Sequence, residues 1–83
     1  MDIIYSNHAI YKIDILKKHE IEIDKKIIQE IVSKPEKLER GYKNRFIAQS
    51  KLNETHVLRV IYEELNYCKL IITLYPGRIK RYD

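Results

Sequence analysis

Arginine and tyrosine gather in the second half of this chain in a way that could handle a charged substrate. The stretch THVLRVIYEE sets Arg59 among apolar residues, and LYPGRIKRYD runs from a strand-like segment through Pro76-Gly77 into Arg78, Lys80, Arg81 and Tyr82. An arginine offers a planar fork of donors that meets two oxygens of a phosphate or carboxylate and stays protonated. A tyrosine hydroxyl can donate a proton, or accept one where nearby cations lower its pKa. Histidine can do either near neutral pH, and His8, His19 and His56 are available.

Other chemistries find little footing. HExxH, paired-cysteine and close carboxylate patterns are absent from the sequence, and Glu63 and Glu64 alternate across one strand, so no metal and no other cofactor is expected. Gly41 and Gly77 are isolated, which excludes a glycine-rich phosphate loop. Cys68 has no histidine beside it in sequence and no helix start to ionise it. It reads as a small apolar filler in a reducing cytoplasm.

These residues sit in a short chain. Its 83 residues, 45% hydrophobic with two glycines and two prolines, suit one domain spanning 1–83 around one modest core. No apolar run is long enough to cross a membrane, and MDIIYSNHAI lacks the basic segment and long apolar core of a secretory signal, so a soluble cytoplasmic protein is expected. The net charge of +4 is lopsided: residues 1–39 carry seven Lys/Arg against eight Asp/Glu (net −1), and residues 40–83 carry nine against four (net +5). A basic half suits phosphate or an acidic protein partner.

The elements that must position the cations follow from periodicity. After a short apolar start, IIY, Ser6 can cap a helix whose apolar positions are Ala9, Ile10, Ile13 and Leu16, with Lys17, Lys18 and His19 at its negative end. Asp24 can cap a second helix, stapled by Ile23 and Ile28, striped by Ile27, Ile28, Ile31 and Val32, and ended by Pro35. From Lys37 the period becomes two, predicting strands near 37–42, 45–52, 55–63 and 68–75 joined as successive antiparallel hairpins. Leu58, Val60 and Tyr62 share one face and Val57, Arg59 and Ile61 the other; in the last strand Leu70, Ile72 and Leu74 are expected opposite Ile71, Thr73 and Tyr75. The expected fold is α+β, a two-layer sandwich with an N-terminal helical hairpin on a four-stranded, largely antiparallel sheet, with room for a short first strand. Two helices cannot cover both faces, so one face is expected to be partly open, with Arg59, Thr73 and Tyr75 on it.

The order of elements, together with HVLRVIYEE, a turn, and then KLIITLYPGRIKRY, resembles the RelE/ParE-like toxin superfamily. His8-Ala9, LKKHEIEID and GYKNRFIAQ are similar to a branch near BrnT-like toxins that carries an N-terminal HA motif. The resemblance implies a RelE-like toxin of a type II toxin–antitoxin pair, with mRNA, on or off the ribosome, as target and a small cognate antitoxin as partner. RelE-type members cleave RNA without metal, whereas ParE-type members inhibit DNA gyrase. By this resemblance Arg59 corresponds to the strand arginine at the scissile phosphate, Arg78 to the later arginine and Tyr82 to the terminal tyrosine of proton transfer. His8 belongs to the motif of the nearer branch. Arg78 and Tyr82 stand closer together than in RelE-type enzymes, and of the catalytic lysine pair only Lys51 is offered as a match. A homodimer and a toxin–antitoxin hetero-oligomer are both open.

In metal-free RNA cleavage the ribose 2′-hydroxyl attacks the adjacent phosphate, so the protein must take one proton, give another and hold charge. Arg59, Arg78, Tyr82 and His8 are the candidate catalytic residues. Lys51, Tyr75, Lys80 and Arg81 are candidates for RNA binding, Tyr75 by stacking on an unpaired base. Each has a plainer alternative. Arg59 could pair with Glu63, the terminal cations could be a solvated end, Tyr82 could anchor the tail, and His8 could be a packed histidine. Two other functions stay open: a toxin that inhibits a protein such as gyrase, and a non-catalytic module that docks nucleic acid or an acidic partner.

Overall fold

The computed structural model describes residues 2–82. The chain runs β1 (Asp2–Tyr5), α1 (Asn7–Lys18), α2 (Lys25–Ser33), β2 (Lys37–Arg40), β3 (Arg45–Lys51), β4 (His56–Glu64), β5 (Cys68–Arg78) and α3 (Ile79–Tyr82). It is a small α+β fold. Both helix starts follow local chemistry: Ser6 Oγ accepts from the Ala9 amide at 3.0 Å and Asp24 Oδ1 from the Ile27 amide at 2.8 Å, each satisfying an amide with no helical partner. Ile23 and Ile28 are both buried, as a staple across the second cap requires. Helix α1 ends with Glu20 in the left-handed region (φ 63°), its amide bonding to the Lys17 carbonyl while the Ile21 amide reaches back to Leu16. Helix α2 stops at Ser33, two residues before Pro35.

The sheet has five strands in the order β1-β5-β4-β3-β2. Strands β2 to β5 are antiparallel neighbours, whereas β1 joins β5 in parallel, from Asp2 beside Cys68 to Tyr5 beside Ile71. The expected four-stranded sheet is therefore corrected to a mixed five-stranded one. Residues 3–5, too few to show periodicity, gain their strand character from the edge of β5.

One side of the sheet carries the helices, α1 against β5 and α2 against β3 and β4. Between the layers lie Ala9, Leu16, Ile28, Ile31, Val32, Ala48, Leu58, Val60, Tyr62, Ile71 and Leu74. The alternation expected in β4 holds, with Leu58, Val60 and Tyr62 turned to the helices. That expected in β5 does not: Ile61 pairs with Thr73 but Tyr62 with Ile71, so Ile72 is an extra, bulged residue and Ile71 joins Leu74 in the core. The bulge is tied to the helix layer, since the Ser6 hydroxyl donates to the Ile72 carbonyl at 2.8 Å and the Ser6 amide to that of Ile71 at 2.9 Å.

Strand β5 also runs past its expected end at Tyr75, through Pro76 and Gly77, to Arg78. Because β1 pairs only with residues 68–71, Pro76 lies where the far edge of β5 is unpaired and its missing donor costs nothing. Four further residues form α3, which the sequence periodicity did not predict. Cys68 is buried, and no helix among the described residues is long and apolar enough to cross a membrane.

Candidate functional site on the uncovered sheet face

Alternation along β4 turns Arg59 away from the helices, onto the face where Gln49 of β3 and Tyr75 of β5 lie directly beside it in the register. The residue is only 6% exposed, because the chain after β5 folds back over it. Its Nε donates to the Tyr75 hydroxyl at 2.9 Å, its Nη1 to Gln49 Oε1, and its Nη2 to Glu39 Oε2 at 3.1 Å. The carboxylate partner of Arg59 is thus Glu39, not Glu63, which instead faces Arg45 at 3.9 Å. Burial works against the charge of Arg59, but the hydrogen bonds to Tyr75 and Glu39 outweigh it and raise the pKa above its ordinary value. Glu39 is pulled below the usual carboxylate range by its hydrogen bonds to Arg59 and Lys37.

Tyr82 closes the group. The Arg59 guanidinium carbon is 4.3 Å from the Tyr82 ring centroid and 5.8 Å from that of Tyr75, within cation–π range of both. The two rings are tilted by 59° with centroids 6.5 Å apart. The Tyr82 ring also lies on Gly77: a Cβ built there would be 2.2 Å from Tyr82 Cε2, so the absence of a side chain is what lets the ring settle. The Tyr82 carbonyl accepts from Lys37 Nζ and Gln49 Nε2, both at 3.2 Å, and the Ile79 amide bonds to the Thr55 carbonyl at 3.0 Å. Val57 is buried outside the main core, on the face that α3 covers.

Of the residues singled out by sequence, Arg59, Tyr75 and Tyr82 come together. Arg78, Lys80 and Arg81 are exposed around the tail, and with His56 and Gly77 they line a shallow concavity beside Tyr82. Lys51 is exposed on the rim of a second concavity, shared with Lys37, Gln49, Val57, Ile79 and Tyr82. His8 is not brought to this site. It is exposed on the first turn of α1, in the helical layer, while Arg59 faces the other side of the sheet.

Glu39 and Gln49 are the members that sequence reasoning missed. Gln49 sits on the same face of β3 as Lys51, so its alternation was a usable signal; Glu39 could be found only from the register of β2 on β3. A larger concavity lies between α2 and the end of β3, among Lys26, Glu30, Lys34, Glu36 and Ser50, but holds no comparable set of converging groups. Among the described residues no three His, Cys, Asp or Glu are grouped to hold a metal ion. Comparison with protein-family models, with curated proteins and with solved structures found no match to this chain.

Proposed function

We propose that the uncovered face binds single-stranded RNA and cleaves it without metal, the protein being the toxin of a toxin–antitoxin pair as its sequence resemblance implies. The observation that carries this reading is the convergence of Arg59 and Tyr82 over a β-surface rimmed by Arg78, Lys80, Arg81, Lys51 and Lys37. In the reaction the 2′-hydroxyl oxygen bonds to phosphorus and the bond to O5′ breaks, leaving a 2′,3′-cyclic phosphate and a free 5′-hydroxyl. Glu39, held ionised, takes the 2′ proton, and the Tyr82 hydroxyl gives one to O5′. Arg59 adds a fixed positive charge to the surface, while the exposed cations meet the phosphate oxygens. A small antitoxin with an acidic or apolar segment would silence the protein by covering this rim.

The test is induced expression with RNA-end mapping, followed by assay of purified protein in chelator. Tyr82→Phe keeps the ring and removes only the hydroxyl, so cleavage should fall about 10²-fold or more while the fold is kept. Cleavage undiminished in that variant, or no new RNA ends from the unaltered protein, would sink the nuclease reading. A second reading is a docking module without catalysis, favoured by the engagement of Arg59 with three side chains of its own protein. It predicts RNA binding with no effect on growth. Damage to DNA metabolism with intact RNA would point instead to a protein target such as gyrase.

A further inference from the structure

The way Arg59 is held limits what it can recognise. Three of its nitrogens already donate in plane to Tyr75, Gln49 and Glu39. A guanidinium so occupied has lost most of the fork with which arginine grips a phosphate. What it presents outward is its flat face, and that face now carries an aromatic ring. The other wall of the same slot is Gly77, bare enough for the ring to rest against the backbone. Tyr75 borders the slot at a tilt.

Building on the RNA reading above, we propose that the slot between Gly77 and the face of Arg59 is a stacking site for one unpaired nucleobase, which enters by displacing the ring of Tyr82. The dimensions suit it, since a planar ring already fills the space. The occupant is also lightly held. Helix α3 has four residues, too short to stand alone, and at Tyr82 the tail is tied by two bonds of 3.2 Å to the Tyr82 carbonyl. A base replacing a tyrosine keeps the cation–π contact, so the exchange sacrifices little at Arg59. The nucleotides on either side would then run past Arg78, Lys80 and Arg81, which are exposed beside the slot. Tyr82 thereby becomes a reporter of occupancy: its ring is in the slot when RNA is absent and outside it, its hydroxyl freed to reach O5′, when a base is bound.

Binding can be measured apart from cleavage with a short single-stranded RNA that carries 2′-O-methyl riboses and one 2-aminopurine, set against the same oligonucleotide abasic at that position. The slot predicts quenching of 2-aminopurine on binding, and about tenfold tighter binding of the base-bearing strand to Tyr82→Ala, with no gain for the abasic strand. Gly77→Ala with Tyr82→Ala puts a methyl group where the base should lie, so quenching and gain should both disappear while the thermal midpoint stays near that of Tyr82→Ala. An equal gain for the abasic strand would mean that Arg59 meets phosphate, and would overturn the slot. Binding without quenching would overturn the slot and leave the RNA reading standing. Failure of the unaltered protein to bind either strand would overturn both.

Discussion

The two faces of β4 are built on opposite principles from neighbouring residues. Leu58, Val60 and Tyr62 meet the helices, with Leu58 and Val60 fully buried, and their contribution is volume removed from water. Val57, Arg59 and Ile61 face the other way, where Arg59 is nearly as buried but held by hydrogen bonds of fixed direction. A face made of volume tolerates substitutions of similar size. A face made of directed bonds tolerates few, because removing one partner strands the others. A buried cation on the face that no long helix covers is therefore the feature that asks for a functional explanation.

The contrast can be broken from either side. Leu58→Ala, in the closed layer, should show the largest loss, about 2–5 kcal/mol in denaturant unfolding, because Leu58 is fully buried between sheet and helices. Arg59→Met, unbranched and without charge, should lose about 1–3 kcal/mol through the donors withdrawn from Tyr75 and Gln49. A loss as large as that of Leu58→Ala would mean that both faces are equally central to folding. Ser6→Ala should lower stability by about 1 kcal/mol, as for the loss of a helix cap, and should speed amide exchange around Ile72 and at Ala9.

The smallest effect depends on pH. The folded pKa of Glu39 lies below its ordinary value of 4.5, so its stabilisation is present above that value and is lost as pH falls through the lower, folded one. Glu39→Gln should therefore lower the melting temperature slightly in the neutral region, leave the acid end nearly unchanged, and so flatten the acid arm between them. An acid arm identical to that of the unaltered protein would mean that the Arg59–Glu39 contact is too loose to matter.

Features written in adjacent residues were legible before any coordinates. Ser6 and Asp24 announce helix starts by side-chain chemistry, and the alternation from Val57 to Tyr62 puts Arg59 on the uncovered side. Features that depend on a distant partner were not. The sequence left room for a short first strand but not for its parallel pairing with β5, and the bulge at Ile72 is stabilised by Ser6 from the other end of the chain. Glu39 gave no hint that it would meet a residue twenty positions away. The opposite signal misled at His8, where a motif suggested chemistry and the start of α1 placed the ring in the helical layer.

The extra residue in β5 acts as a phase shifter for everything after it. From Cys68 to Ile71 the strand keeps one inside–outside parity; beyond Ile72 the parity reverses, and the reversed half holds Leu74 and Tyr75. Deleting Ile72 would join Ile71 directly to Thr73, so that both halves of the strand keep their pairing with β4, Leu74 stays in the core and Tyr75 stays beside Arg59. Removal of one residue there should therefore be tolerated better than removal elsewhere in β5, the direct loss being the bond from the Ser6 hydroxyl to the Ile72 carbonyl.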